Sequence, residues 1–176
     1  GIYFADSTKL AVCHNRRIHS NKVFKGKAAR GKTSTGWFYG LKLFLVINAF
    51  GEIMNAFLTM ANVADNHLVT MIKLFSKLKG WAFADKGFIN QKAVEELLSK
   101  GLHLITGIRR NMKNKLVLME QKILLQKRGV IESVNDILKT VCDIEHTRHR
   151  SPINALVNLY AGLCSYTFLD RLPSIF

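Results

Sequence analysis

The stretch WAFADKGF, residues 81–88, decides how this sequence is read. A short apolar run ends on Asp85, and a glycine follows two residues later. Near the start, IYFADST (residues 2–8) closes another apolar run with the same three residues, so Asp6 and Asp85 occupy matching places. Runs of this kind belong to strands buried on both faces of a parallel sheet. In an open α/β sheet, ligands bind just beyond strand ends. Two aspartates brought together there repel each other unless a divalent cation lies between them, and Mg²⁺ suits such hard oxygen ligands. A pair of turn-capping aspartates is the ordinary alternative.

The carboxylates stand out because they are scarce. Twenty-six Lys and Arg oppose twelve Asp and Glu, a formal charge of +14 on 176 residues. That excess favours a polyanionic partner, nucleic acid first among them. A composition 48% hydrophobic and 22% charged is that of a globular chain with a core, not a disordered one. Cys13, Cys142 and Cys164 are widely spaced and odd in number, which argues against a disulfide framework. The apolar segment 153–169 is shorter than the roughly 20 residues a membrane span needs and holds Asn154 and Asn158, so it reads as a buried terminal helix. The chain opens at Gly1 directly on a strand-like run. The expectation is a single domain over residues 1–176, with a DNA-binding part preceding it.

Along the chain, residues 2–12 read as a strand. From His14 to Gly36 there are seven Lys or Arg and no acid, with glycines as breakers, which predicts a long basic loop. Residues 40–48 and 53–61 complete an antiparallel meander. A helix capped by Asp65 runs to Lys79, WAFAD forms the fourth strand, and Asn90 caps a helix ending at Gly101. Residues 103–109 form the fifth strand, and a long helical pattern carries Ile123, Leu124, Ile131, Val134 and Leu138. Pro152 opens the last helix. The order predicts an α/β fold: a mixed five-stranded sheet, a three-strand antiparallel meander plus parallel strands, flanked by helices.

Elimination narrows the carboxylates. Glu52 sits in a hairpin turn, Asp65 reads as a cap, and the remaining acids lie on helix surfaces or among basic neighbours. Asp6, Asp85 and Glu132 resist this, with Asp136 as a possible fourth. Glu132 shares a helix face with Arg128, Asn135 or Asp136, and Lys139, opposite the apolar stripe. A solvated surface is the ordinary reading of such a face.

The segments ADST, GLKLFLV, TMANVAD, FADKGF and KRGVIES…K, together with HNRRIHSNKVFKG and HTRHRSPIN, resemble the catalytic domain of bacterial insertion-sequence DDE transposases over nearly the whole chain. The resemblance implies a ribonuclease H-like fold. It implies that Asp6, Asp85 and Glu132 are the catalytic, metal-holding carboxylates, with Arg128, Glu132 and Lys139 matching a Tyr, Arg, Glu, Lys signature in which Leu125 stands for the Tyr. Phe88 and Met60 are further departures, at positions where the family carries Tyr and Pro. The implied chemistry uses two ions of Mg²⁺ or Mn²⁺, held about 3.5–4 Å apart, to cut DNA at transposon ends and transfer the freed 3′-OH to target DNA. The implied partners are both DNAs and a second copy of the chain, without a membrane, in the bacterial cytoplasm at the nucleoid.

DNA-backbone contacts are expected from Arg16, Arg17, Lys22 and Lys25 in the basic loop, from Arg109 and Arg110, from Arg128 and Lys139 near the carboxylates, and from Arg148 and Arg150. Trp37 can join them, whereas Phe38 reads as strand packing. Cys142, His146 and His149 have zinc-like spacing but no nearby fourth ligand. Two other readings share these residues: a DNA-holding remnant without chemistry, and a ribonuclease H-like nuclease acting on hybrids or junctions.

Overall fold

Twelve residues, Ile2–Cys13, form β1, the strand on which the sheet is built. The structure is a computed structural model and describes residues 1–108 and 118–176. Three further antiparallel-side strands follow, β2 (Ala29–Thr33), β3 (Gly36–Asn48) and β4 (Ile53–Met60). Then come α1 (Leu68–Leu74), β5 (Gly80–Ala84), α2 (Gln91–Ser99) and β6 (Leu102–Thr106). The chain closes with α3 (Met119–Lys127), α4 (Val130–Thr140) and α5 (Pro152–Thr167).

The sheet runs β2-β3-β1-β5-β6, with β4 also paired to β3. Strand β1 occupies one edge of β3 from Tyr3↔Asn48 to Cys13↔Tyr39. On β3, β2 pairs with residues 36–40 and β4 with residues 41–47, so the two lie end to end along its other edge. The sheet is therefore five strands wide, as expected, with one short strand added. Strands β5 and β6 join β1 in parallel. Parallel neighbours need crossovers, which α1 and α2 supply.

The sheet separates two apolar layers. Ala5, Phe44, Val46, Ala82 and Ala84 face α1 and α2 through Met71, Leu74 and Leu97. Phe4, Leu45, Ile47 and Phe83 face α4 and α5 through Ile131, Val134, Leu138 and Tyr166. The alternation of Phe4 with Ala5 and of Phe83 with Ala84 is the period-2 signature of strands covered on both faces.

Five expectations change. The basic loop 14–36 contains β2, and a third cluster of Val12, Phe24, Ala28 and Tyr39 anchors its other end, with Tyr39 Oη donating to the Phe24 carbonyl at 3.2 Å. Gly31, read as a breaker, lies inside that strand because the Ala61 backbone packs against it: a Cβ there would meet the Ala61 oxygen at 2.5 Å. The first helix is shorter than 65–79, and its cap is His67, whose side chain accepts from the Thr70 amide, not Asp65. The long helical pattern is two helices meeting at Arg128–Gly129. The last helix is buried on one face alone: Leu159 and Tyr166 are buried, while Ile153, Val157 and Tyr160 are exposed. Among the described residues, no helix is long and apolar enough to cross a membrane.

Gly31→Ala should destabilise the protein by about 1–3 kcal/mol, because backbone and not a pliable side chain must move. Urea unfolding measures this, and an unchanged midpoint would contradict the packing of β2 against Ala61.

Candidate active site

Register brings the first two carboxylates together. In the parallel β1–β5 ladder the last pair is Ala5↔Ala84, so Asp6 and Asp85 are the next residues on adjacent strands. There the strands part. The β5 chain turns into a short 3₁₀ segment, Lys86–Phe88, whereas β1 continues along β3 to Cys13. Beyond Ala5, β1 has lost its parallel neighbour, and the vacated edge opens into a cleft of about 460 Å³. Asp6, Asp65 and Asp85 line it with Lys9, Lys32 and Lys42.

Helix α4 closes the site from the other face. Asn135 is buried, and its Nδ2 donates to Asp6 Oδ2 at 3.1 Å. One turn earlier on the same helix stands Glu132, exposed, its Oε1 accepting from the Arg128 guanidinium at 3.0 Å. Among the described residues Asn135 Oδ1 is buried without a hydrogen-bond partner, an unused acceptor beside Asp6. A buried polar atom in that state calls for an explanation such as a missing donor or water.

Asp6 is the electrostatically unusual group. Burial pushes its carboxyl from 3.8 up to about 6. The Ser7 amide and the Arg128 charge oppose that rise, and the charges of Asp65 and Glu132 add to it. Glu132 thus acts on Asp6 through its field while its own carboxylate is held by Arg128.

Asp65 is the residue that sequence reasoning missed. Its Oδ1 accepts from Ser7 Oγ at 2.7 Å and from Lys42 Nζ at 3.0 Å, and Lys42 also donates to the Val63 carbonyl at 2.8 Å. Its Oδ2 lies under the turn after Asp85, where a Cβ on Gly87 would approach it to 2.9 Å. One signal was available: the apolar periodicity of α1 starts at Leu68, which places Asp65 two residues too early to be the cap.

The donor set fits a hard divalent cation: carboxylate oxygens from adjacent strand ends, one of them desolvated. Among the described residues, however, no group of three His, Cys, Asp or Glu stands close enough to hold an ion. Asp6 and Asp85 are brought together by register, and Glu132 faces Arg128 instead of joining them. The same finding covers Cys142, His146 and His149, whose two imidazole rings stack 3.8 Å apart. Burial and the neighbouring His146 hold the His149 pKa down against the pull of Asp143.

The basic residues divide. Lys139 is engaged inside the fold, donating to the Lys9 carbonyl at 2.7 Å and pairing with Glu145 at 2.9 Å. Glu145 in turn accepts from the Ala11 amide, so this pair fastens the end of α4 to β1. Arg16 and Lys25 are exposed, and Arg17, Lys22, Arg148 and Arg150 surround a second cavity. Arg109 and Arg110 lie outside the described residues. Trp37 is exposed between Arg30 and Lys32, 5.3 and 5.7 Å from its ring, while Phe38 and Tyr39 are buried.

The family model described as "Transposase DDE domain" matches residues 1–152. Among solved structures, the piggyBac transposase synaptic complex with hairpin DNA superposes with a TM-score of 0.55 at 10% identity, over 93% of this chain and 45% of that one. The simian T-cell lymphotropic virus intasome, solved in complex with PP2A regulatory subunit B56 gamma, gives a TM-score of 0.52 at 14% identity, over 97% of this chain and 50% of that one. At such identities the likeness is one of fold, the ribonuclease H-like arrangement of a mixed sheet between helices. The chain spans about half the length of these solved chains. No curated protein matches it.

Asp6 makes stability depend on pH in a defined direction. Its folded-state pKa is raised, so between about pH 4 and pH 6 the native state keeps a proton that the unfolded chain has lost. The stabilisation is complete below that window and is lost as pH rises through it. Asp6→Asn should therefore stabilise the metal-free protein at pH 8 by on the order of 2 kcal/mol and flatten the profile between pH 4 and 6. Urea unfolding across pH checks both, and an unchanged profile would show that Asp6 is not desolvated.

Proposed function

This chain belongs to the transposase DDE domain family, and from that premise we propose that it cuts and joins DNA strands by metal-dependent phosphoryl transfer at Asp6, Asp85 and Glu132. The observation that carries the reading is the Ala5↔Ala84 register, which sets Asp6 beside Asp85 at the head of a cleft rimmed by lysines. The ions are Mg²⁺ or Mn²⁺, two per site, and when bound they supply an activated hydroxyl nucleophile and stabilise the leaving 3′ oxygen. The protein's own residues do the rest. Asn135 fixes the orientation of Asp6, so the first carboxylate needs no reorganisation to serve as ligand. Lys9 and Lys32 present charge to an incoming phosphate, while Lys42, bound to Asp65, contributes its field from a fixed place.

Arg128 has two candidate anions. It holds Glu132 in this structure, and a DNA phosphate is a competing partner for the same guanidinium. Release of Glu132 by such an exchange would complete the carboxylate trio when DNA arrives. The substrates are transposon ends and target DNA, and joining two ends calls for at least a pair of these domains. The dispersal of the trio favours one rival, a DNA-holding remnant that performs no chemistry.

Supercoiled plasmid with Mg²⁺ or Mn²⁺ separates the two. The wild-type chain should nick it, and Asp85→Ala or Glu132→Gln should lower the rate at least about 100-fold, within the range ascribed to metal and electrostatic catalysis. Mn²⁺ should also raise the thermal midpoint of the wild type and leave that of Asp6→Asn unmoved. Equal nicking by wild type and Asp85→Ala, or none with either ion, would leave the remnant reading.

A further inference from the structure

A second cavity, larger than the carboxylate cleft, lies elsewhere in the molecule. It has a volume of about 530 Å³ and lies at the far end of β1, where Cys13 and His14 meet two basic segments remote in sequence. Arg17 and Lys22 come from one, Arg148 and Arg150 from the other, and among the described residues no Asp or Glu lines the cavity. All four cations are exposed, and among the described residues none of them has an ion pair. Folding has gathered four like charges around one hollow, at a Coulombic cost that a bound anion would remove.

Position excludes the reacting phosphate as that anion. Asp6 and Cys13 stand seven residue steps apart on the strand, about 23 Å at roughly 3.3 Å per residue. A duplex advances about 3.4 Å per nucleotide along each strand, so the same span corresponds to about seven nucleotides. The 147–150 wall follows α4, the helix of Glu132, and the intervening Ile144 packs in the same apolar layer as Ile131, Val134 and Leu138. The cavity thus lies on the side of the sheet covered by α4, where Asn135 meets Asp6 and Arg128 meets Glu132.

We propose that this cavity is a separate backbone-phosphate site, holding the DNA duplex about seven nucleotides from the phosphate presented to Asp6. It rests on the reading of DNA as the partner, but it requires no chemistry at the carboxylates. Cations at both ends of β1 would then hold one duplex along the strand, with the cavity setting how far the DNA extends past the site. A free small anion is the rival occupant, since the volume falls within the roughly 300–1,000 Å³ of ordinary ligand pockets.

The test measures binding in EDTA, so that failure of catalysis leaves it interpretable. Fluorescence anisotropy follows labelled 30-bp duplex against NaCl concentration for the wild type, for Arg17→Gln/Arg148→Gln and for Lys22→Gln/Arg150→Gln. A control, Lys92→Gln/Lys100→Gln, removes equal charge from α2 and the residue that caps its C-terminus, on the opposite face. Each cavity pair should lose at least tenfold in affinity at 100 mM salt and make the salt slope shallower by about two. The control should lose far less. The wild type should also gain more than the cavity variants when the duplex grows from 6 to 12 bp, since only the longer one reaches both places. Equal losses in control and cavity variants would overturn the proposal, as would identical length dependence. Saturable calorimetric binding of inorganic phosphate, with duplex affinity unchanged in both variants, would assign the cavity to a free anion instead.

Discussion

Everything at the site depends on where β1 loses one of its two neighbours. Up to Ala5 the strand is paired on both edges, in parallel with β5 and antiparallel with β3. One residue later the parallel partner has turned away, and Asp6 stands half-covered at the break. A carboxylate inside the ladder would be too deeply desolvated to ionise, and one beyond the sheet would be an ordinary surface acid. At the break it is buried enough to raise its pKa to about 6, yet it lines an open cleft of about 460 Å³.

Around that point the charges are arranged so that most anions already have a cation. Asp65 is satisfied by Ser7 and Lys42, Glu132 by Arg128, and Glu145 by Lys139 and the Ala11 amide. Partly buried pairs of this kind do more to hold geometry than to add net stability. The Lys139–Glu145 pair shows the point: it ties the end of α4 to β1, which keeps Asn135 against Asp6. In such a framework Asp6 and Asp85 are left with no ion pair among the described residues, and the cavity at the other end of β1 is left with cations alone. The two uncompensated regions have opposite sign, and each presents an unneutralised field to solvent.

The fold was legible because its signals are local. Apolar runs bounded by turns identified β1, β3, β4, β5 and β6, and Asn90 capped α2 as its side chain promised. Where the reading failed, long-range packing had outweighed local preference. Gly31 looked like a breaker until the Ala61 backbone was found against it, and Asp65 looked like a cap until Lys42 and Ser7 were found to hold it. The terminal helix looked buried throughout, but its apolar residues are spread around the whole helix and only one face meets the core.

From its sequence alone this protein declared two apolar runs ending in aspartate, a third acid on an amphipathic helix, and a surplus of positive charge; the family entered through the resemblance of its motifs, which the family model over residues 1–152 bears out. Those are properties of residues taken a few at a time, and hydrophobic periodicity is enough to reveal them. Only the tertiary structure decided which side chains meet: that Asp6 and Asp85 share a register, that Asn135 holds Asp6 while Glu132 turns to Arg128, and that four scattered cations surround one hollow. The reason is that electrostatic partnership acts through space, between strands and loops up to 130 positions apart in the chain, and no local pattern records it.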